Sequence, residues 1–595
     1  MYRLLLILAA ALSLMATSLF AEPSADQLRL QALFDKDWEF RLAEFPTLAT
    51  YTNSPGAHDK LESVAEKDQL RRADFWRGIL AELHQINAES LTGEDKINYL
   101  LFERQLKSMV SNIEFRGYQI PILVDEGFHT SFARLADTVP FNNATDYENY
   151  ISRMHAWPAL VEQNITNMRA GMARGFSQPR VILQGYEDML RPLLTETAQD
   201  SRFWAPFENF PAAVAESDRE RLKAQGAEAI LSAVVPGYAE FLRFMSEEYI
   251  PGTRETLGAY DMPDGAAYYD QQIRDYTTLD LSADEIHQIG LKEVARIRAE
   301  MEQIIKDVKF QGSFADFLAF LRSDPQFYAQ TPEQLLKEAA WIAKTMDGKL
   351  PSLFTVLPRQ PYTVNPVPAN IAPKYTAGRY VSAPLDSTRP GQYWVNTYDL
   401  KSRPLYALPA LSLHEAVPGH HLQGALAAEH GEQPNFRKFD YISAYGEGWG
   451  LYSEFLGIEA GMYPDPYSNF GRLTYEMWRA CRLVVDTGLH AKGWTRQQAL
   501  DYLAGNTALS IHEVTTETDR YISWPGQALS YKLGELKIKA LRKQAEEQLG
   551  TNFDLRKFHD EILRSGSVSL DILDGLIQEY IQRELKAAAK TGVPD

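Results

Sequence analysis

The chain has 595 residues, of which 45% are hydrophobic and 23% charged, a composition typical of a large globular protein. Its formal net charge of −19 excludes the basic surface that a nucleic acid partner requires, and it disfavours permanent attachment to an anionic membrane.

The N-terminus has the layout of a secretory signal. Arg3 precedes an apolar run from Leu4 to Met15, and small and polar residues lead to Ala21. This pattern predicts a signal peptide over residues 1–21 and a periplasmic or secreted protein. The alternative, an uncleaved anchor, is disfavoured because the run is shorter than a spanning helix. No cysteine follows it for lipid attachment, and no later segment is apolar enough to span a bilayer, so we expect no stable membrane insertion of the mature chain.

Helix-starting signals dominate the rest of the chain. Each is a serine or threonine followed three residues later by glutamate or glutamine, which together satisfy backbone N–H groups at a helix start. They begin at Ser24, Thr145, Ser282, Thr331 and Thr495. We therefore predict a mainly α fold. Breaks at Pro251 and Met262 suggest an N-terminal helical lobe over residues 22–262 and a C-terminal catalytic lobe over residues 263–595, unless both form one continuous domain.

One segment, residues 357–398, is rich in proline and lacks the helical period. Residues 378–382 and 392–397 have the composition of strands, and residues 386–391 between them predict a turn. We expect a small antiparallel β element here. Its edge would accept an extended peptide substrate as a further strand, and a purely structural hairpin is the alternative. The candidate substrate-binding residues of this element are Tyr380, Tyr393 and Asn396.

Three of the twelve histidines lie within eight residues, at His414, His420 and His421. In a His-Glu-x-x-His helix, two histidines one turn apart bind zinc and the glutamate acts as general base. His414-Glu415 matches the first half of this motif, but Pro418 stands where the second histidine belongs.

A distortion at Pro418-Gly419 would restore the phase of this helix. Proline removes a backbone N–H and clashes with the preceding turn, and glycine relaxes the backbone. If these two residues bulge out, His420 takes the place of the second metal ligand. A bulge that differs by one residue would bring in His421 instead.

A third ligand is expected from a glycine-rich helix downstream. Gly446, Gly448 and Gly450 weaken a helix, which indicates that it packs closely against another backbone. Glu447, which lies between them, is the candidate ligand. Glu454, two turns further on, is the candidate carboxylate that orients a ligand histidine.

Cys481 is the only cysteine, which excludes an internal disulfide. Its neighbours form an apolar helical segment, so we predict a core residue and not a nucleophile.

Four motifs resemble a bacterial family catalogued as domain of unknown function 885. They are His-Glu-Ala-Val-Pro-Gly-His-His-Leu-Gln at 414–423, Glu-Gly-Trp-Gly-Leu-Tyr-Ser-Glu at 447–454, and the segments 482–490 and 524–532. That family is similar to the helical gluzincin metallopeptidases, the class that contains angiotensin-converting enzyme. The resemblance implies a two-lobed helical fold around a deep cleft and one zinc ion per chain.

The resemblance also implies roles for residues near the C-terminus. His512 is followed by Arg520-Tyr521, a spacing similar to that of the histidine and tyrosine that stabilise the oxyanion in the angiotensin-converting group. His512 and Tyr521 are therefore candidates for this role, and Tyr531 is the rival tyrosine. The candidate substrate-binding residues of the matching segments are Arg482, His490, Gln527 and Lys532.

These patterns together predict an exported zinc metallopeptidase, in which Glu415 activates a metal-bound water that attacks a peptide bond. The predicted ligands are His414, His420 or His421, and Glu447. Two alternatives remain. One is a metal-dependent amidase or carboxypeptidase for cell-wall peptides, in which Arg482 or Lys532 captures a carboxylate. The other is a non-catalytic peptide-binding protein with a relic metal site.

Overall fold

A computed structural model of the chain describes residues 23–369, 371–383, 389–431 and 433–591. The predicted signal peptide and the first half of the predicted turn at 386–391 lie outside the described residues. The fold is mainly α, as the helix-starting signals predict. No helix in the described ranges combines the length and the apolar character that crossing a membrane requires.

From residue 23 to residue 352, the regular structure consists of helices alone. Two π-helical segments, Ile230–Val234 and Met245–Tyr249, join three of these helices into one continuous rod. The α-helices of this range are α1 (Ala25–Glu44), α2 (Pro46–Tyr51), α3 (Glu66–Leu83), α4 (Gly93–Glu114), α5 (Phe128–Ala133), α6 (Ala144–Ala173), α7 (Glu187–Leu190), α8 (Glu216–Ala229), α9 (Val235–Phe244), α10 (Ile250–Gly252), α11 (Gly265–Thr277), α12 (Ala283–Asp307), α13 (Phe314–Ser323) and α14 (Pro332–Asp347).

A small sheet follows, and then the helices that carry the histidine motif. The strands are β1 (Tyr362–Pro366), β2 (Gly378–Val381) and β3 (Gly391–Val395). The remaining helices are α15 (Leu408–Glu415), α16 (His420–Glu429), α17 (Asn435–Lys438), α18 (Ser443–Glu459), α19 (Pro466–Ala491), α20 (Arg496–Asn506), α21 (Ile511–Ser523), α22 (Ser530–Leu549), α23 (Leu555–Leu563) and α24 (Leu570–Thr591).

Four of the five predicted helix starts are confirmed. Ser24, Ser282 and Thr495 form reciprocal capping boxes with the glutamine or glutamate three residues later. Thr331 accepts the backbone N–H of Gln334 in the same way. Each cap satisfies donors that the first helical turn leaves without a partner.

The fifth predicted start, at Thr145, is wrong by two residues. Helix α6 begins at Ala144, and the cap is Asn143, whose side chain accepts the backbone N–H groups of Thr145 and Asp146. Asparagine caps a helix at least as well as threonine. Because Asp146 also returns a bond to the cap, the earlier start is the more stable one.

The sheet is mixed, which corrects the predicted antiparallel element. The strand order is β1-β3-β2. The predicted hairpin is present, with Tyr380 of β2 opposite Tyr393 of β3, but β1 pairs parallel to β3. Strand β1 ends on Pro366, a residue that sheets accept only at edges, and this proline conceals the strand in the sequence. The edge position of β2 leaves one of its sides free to face α15.

Side chains from the two predicted lobes pack into common cores. One large cluster combines Trp157 and Phe241 with Ile297 and Cys481. A second combines Phe102 of the N-terminal segment with residues of α18, α22 and α24. Cys481 is fully buried, as its apolar surroundings predict. Residues on either side of position 262 therefore share their hydrophobic contacts.

Candidate metal centre

The helix that carries His414 is interrupted where the sequence predicts a distortion. Helix α15 ends at Glu415 and α16 begins at His420, so that Pro418-Gly419 lies in a complete break rather than a bulge. The Val417–Pro418 peptide bond is cis. The indole of Trp449 donates to the carbonyl of Pro418 over 2.8 Å, which fixes the connection. A side chain on Gly419 would collide with the backbone of His414.

This break brings two histidines and a glutamate together. His414 and His420 each direct Nε2 toward the same carboxylate oxygen of Glu447, at 3.5 Å. The possible ligand atoms of these three residues all lie within 4.8 Å of one another. The two imidazoles are nearly perpendicular, at 85°, with ring centroids 4.8 Å apart. The geometry places His420, and not His421, in this group.

The group fits a zinc ion by its donor atoms and their spacing. Two imidazole nitrogens and one carboxylate oxygen are a set that catalytic zinc sites use, with a fourth position left for water. Tetrahedral bonds of about 2.0–2.2 Å require ligand atoms about 3.3–3.6 Å apart, and the two nitrogen-to-oxygen distances here are both 3.5 Å. The residues could therefore hold the metal without a large rearrangement.

One side of this group is open to solvent. The side chain of His414 is 3% exposed, whereas those of His420 and Glu447 are 16% and 14% exposed. Tyr441, which is 56% exposed, donates its hydroxyl to Glu447 over 3.2 Å. The solvent-facing side of the group is therefore the side of His420, Glu447 and Tyr441.

Glu454 holds the second nitrogen of His414. The Nδ1 atom lies 2.8 Å from Glu454 Oε1, and both side chains are buried. Burial lowers the pKa of His414, but hydrogen bonds to Glu447 and Glu454 outweigh it and raise this pKa to about 10. Despite burial, the two histidines hold the pKa of Glu447 well below its usual value. The surroundings of His414 therefore favour positive charge.

Three glycines of α18, at 446, 448 and 450, permit close approaches. A Cβ on Gly448 would come within 2.6 Å of the backbone of Gly534 on α22. A Cβ on Gly450 would lie 2.7 Å from the imidazole of His414, and one on Gly446 would strike the ring of Tyr441. The predicted close packing against another backbone is confirmed at Gly448. The other two glycines make room for side chains of the centre.

His421 points away from the group, into the sheet. Its Nδ1 lies 3.0 Å from the hydroxyl of Tyr380, and its ring packs on Tyr362 at 4.5 Å. Burial lowers the pKa of His421 to about 4, so it is neutral near pH 7. These contacts tie α16 to the sheet.

Glu415 is fixed by the edge of the sheet. The backbone N–H of Tyr380 on β2 donates to Glu415 Oε2 over 2.8 Å. One carboxylate oxygen is thereby held. The charge of Glu415 raises the pKa of His414, which places this carboxylate near the group.

Of the two candidate tyrosines, Tyr531 lies nearer to the histidines. Its ring stacks on His414, with centroids 6.4 Å apart. The hydroxyl of Tyr521 instead accepts bonds from Trp478 and Arg482 in the buried interior. His512 is exposed on the first turn of α21. Within the described residues its side chain makes no hydrogen bond or ring contact with the group.

Two predicted substrate-binding residues of the sheet are fully buried. The hydroxyl of Tyr393 lies 3.2 Å from that of Ser412. The amide of Asn396 donates to the carbonyls of Ala372, Tyr375 and Thr376, which braces the connection before β2. Tyr380 is partly exposed and contacts both Glu415 and His421.

The basic residues proposed for carboxylate capture are also buried. Lys532 is ion-paired with Glu535, Glu476 and Glu293 at 2.6, 2.9 and 3.2 Å. Arg482 donates to Glu517 over 3.0 Å, and only its Nη1 lacks a partner among the described residues.

The last two candidate substrate-binding residues, His490 and Gln527, also form hydrogen bonds inside the protein. His490 uses both ring nitrogens, against the carbonyl of Tyr521 and the N–H of Ala259. Gln527 accepts a bond from Arg520 over 3.1 Å. None of these contacts reaches the group of His414, His420 and Glu447.

Three residues that contribute to the centre are not evident from the sequence. Tyr441 bonds Glu447, Trp449 fixes the helix break, and a nitrogen of Arg479 lies 3.7 Å from Glu454. Trp449 belongs to the matching motif, which offers a signal for it. No motif marks Tyr441 or Arg479, and both come close to the group only in the folded chain.

Fold and site together define a mainly α protein with an open His-His-Glu centre at a helix break. The chain belongs to the family described as bacterial protein of unknown function (DUF885), whose model matches residues 46–577. This confirms the family that the motifs resemble, while the kinship to gluzincins remains a prediction. No curated protein matches the sequence.

Two solved structures are similar to this one. The first is a protein from Colwellia psychrerythraea, provisionally named a lipoprotein. It is 29% identical with a TM-score of 0.87, and the match covers 94% of this chain and 100% of that chain. The second, from Shewanella oneidensis, is provisionally named a lipoprotein of unknown function. At 18% identity, a TM-score of 0.67 and coverage of 93% and 100%, it shows a common fold.

Proposed function

We propose that the protein is an exported, zinc-dependent hydrolase of peptide bonds. The observation that carries the proposal is the convergence of His414, His420 and Glu447 beside Glu415, on a side open to solvent. The two imidazoles and the Glu447 carboxylate would hold the ion. A zinc ion bound there would polarise a carbonyl group and acidify a water molecule.

Glu415 is the proton carrier of this scheme. Its Oε2 accepts the N–H of Tyr380, so the carboxylate keeps one orientation while its other oxygen takes a proton from water. The same oxygen then returns the proton to the amine that leaves when the peptide bond breaks. Tyr531, which stacks on His414, is the better-placed candidate to donate a hydrogen bond to the developing oxyanion.

The sheet supports a peptide as the substrate. Strand β2 is an edge strand and is tied to Glu415 through Tyr380. An extended chain that pairs with the part of this edge that Glu415 leaves unoccupied would place its backbone next to the general base. This arrangement favours a peptide over a compact small molecule.

Export is part of the proposal. The N-terminal sequence pattern supports it, as do the two similar solved structures, both provisionally named lipoproteins.

The test is a peptide-mixture digest with zinc-loaded protein and with Glu415→Gln. We expect cleavage by the wild type and at least a 100-fold loss in Glu415→Gln with zinc content unchanged, since general-base catalysis contributes about 10²–10⁴-fold. A matched control is Glu429→Gln on α16, a carboxylate that pairs with Arg359 away from the centre. Full activity in Glu415→Gln would remove the general-base role, and intact hydrolysis after zinc removal would refute the mechanism.

A further inference from the structure

A cavity of about 230 Å³ is walled by the elements that build the metal centre. Leu411 lines it from α15, Val395 from the end of β3, and Tyr475 from α19. Leu411 precedes His414 by three residues, and a helix rises about 1.5 Å per residue. The cavity therefore lies beside the turn of α15 that precedes His414.

The surface of this cavity is mostly apolar, and three of its polar side chains, Thr474, Arg403 and Glu513, bear on what it can bind. Thr474, which is 1% exposed, and Arg403 both line the cavity. Among the described residues, neither Thr474 Oγ1 nor Arg403 Nε has a hydrogen-bond partner. Glu513 is the third group. Burial raises its pKa to about 7, so its carboxyl can accept or donate a hydrogen bond near neutral pH.

Two other polar residues of the wall, Arg322 and Tyr328, already have partners. Arg322 donates to the carbonyls of Ala504, Thr507 and Leu509. The hydroxyl of Tyr328 donates to a backbone carbonyl over 3.1 Å. Arg403 Nε and Thr474 Oγ1 differ from these groups, because neither has a hydrogen-bond partner among the described residues. Buried polar groups without partners are rare in proteins.

We propose that this cavity receives a tyrosine side chain of the peptide substrate, one or two residues from the bond that is cleaved. The inference rests on the proposed function. The volume suits one large side chain, because pockets for whole small-molecule ligands begin at about 300 Å³. An extended peptide advances about 3.3–3.6 Å per residue, so a neighbouring side chain spans the helical turn between His414 and the cavity.

The phenol of tyrosine matches the polar groups as well as the apolar wall. Its ring packs against aliphatic side chains. Its hydroxyl accepts a hydrogen bond from Arg403 or Thr474 and donates one to Glu513. Phenylalanine would fill the same space and leave these groups unmatched, and alanine would leave the cavity empty.

Two variants test the cavity without touching the metal-binding helices. Ala508→Phe fills it from the connection between α20 and α21, where Ala508 is buried in its wall. Thr474→Val removes one hydroxyl at constant shape. Thr516→Val, on the exposed face of α21, is the matched control.

The readout is the ratio of kcat/KM values for peptides that differ only in one residue. We expect wild type to prefer tyrosine over phenylalanine and alanine. Ala508→Phe should lower the tyrosine-to-alanine ratio at least tenfold, with the alanine peptide changed less than twofold. Thr474→Val should lower the tyrosine-to-phenylalanine ratio about five- to tenfold, the range of one hydrogen bond, and Thr516→Val should leave it unchanged. Ratios that stay within twofold in both cavity variants would overturn the proposal.

A binding measurement separates this proposal from the proposed function. Saturation-transfer NMR should show N-acetyl-tyrosinamide bound by wild type more strongly than N-acetyl-phenylalaninamide, with the tyrosine preference lost in Thr474→Val. If no peptide is hydrolysed but this pattern holds, the cavity assignment stands and the hydrolase assignment fails. If peptides are hydrolysed and the two amides bind alike, the tyrosine pocket is refuted and the hydrolase remains.

Discussion

His414 contacts a carboxylate at each of its ring nitrogens. Nε2 lies 3.5 Å from Glu447 and Nδ1 lies 2.8 Å from Glu454. A carboxylate on the second nitrogen of a ligand histidine sets the tautomer that points a lone pair at the metal, and it increases the basicity of the ring. Glu454 is therefore a positioning residue, because it acts on the centre only through His414.

Replacing Glu454 should weaken zinc binding without abolishing the fold. An amide in Glu454→Gln can still accept a hydrogen bond but carries no charge, so we expect zinc affinity to fall about 10–100-fold. Competition with a chromophoric chelator measures this. Glu459→Gln on the same helix, where the carboxylate pairs with Arg542 at 2.7 Å, should bind zinc like wild type. Equal affinities in both variants would contradict the role of Glu454.

The principal residues of the centre could be predicted from spacing and residue type. His414 and Glu415 match the first half of the His-Glu-x-x-His motif. Glu447 can be picked out because glycines flank it within a helical segment, which is unusual. Tyr441 and Arg479 could not be predicted in this way, since helical periodicity reports which residues share a face and not which segment folds over it. The choice between His420 and His421 likewise depended on where the helix breaks.

Among the elements, α18 and α22 approach each other closely near the candidate centre. Their backbones meet at Gly448 and Gly534, where no Cβ intervenes. Since Glu447 precedes Gly448, the spacing of these two helices positions the third proposed ligand. A substitution where α18 and α22 cross should therefore lower the free energy of unfolding, and it should affect metal binding only as a consequence.

Gly448→Ala should therefore destabilise the protein. The added Cβ would lie 2.6 Å from the backbone of Gly534, and overpacking of this kind costs about 1–3 kcal/mol. Gly78→Ala on α3 is the matched control, because a Cβ there meets nothing within 4 Å. It should stabilise by up to about 1 kcal/mol through helix propensity. Urea unfolding measures both, and a neutral Gly448→Ala would show that the helices can separate freely.

The sheet shows which secondary-structure elements sequence patterns can predict and which they miss. The hairpin of β2 and β3 joins neighbouring segments with clear strand composition, so it could be predicted. Strand β1 pairs parallel with a partner almost thirty residues away, Tyr362 opposite Gly391. Such pairing depends on long-range folding and leaves no local signal.

At the scale of the whole molecule, the cores join the two halves of the chain. The second large cluster combines helices α1, α3 and α4 with α18, α22 and α24. Residues 23–262 therefore lack many of their apolar contacts when the rest is absent. The division into two lobes stays a prediction, because proline and glycine breaks mark the ends of helices as readily as the ends of domains.

A fragment of residues 23–262 should therefore fail to fold cooperatively. Its apolar side chains would be exposed where α18, α22 and α24 cover them in the intact chain, and this loss removes much of the hydrophobic free energy of folding. Circular dichroism during heating should show no sharp transition for the fragment and a cooperative one for the intact protein. A fragment that unfolds cooperatively would be an autonomous lobe, contrary to this expectation.

The metal content of the purified protein tests the central claim most directly. Inductively coupled plasma mass spectrometry on wild type, His420→Ala and His421→Ala should give close to one zinc per chain in wild type and His421→Ala. His420→Ala should retain little, because it loses one of three ligands. A wild type that stays metal-free after incubation with zinc, or a loss of zinc in His421→Ala alone, would contradict the proposed centre.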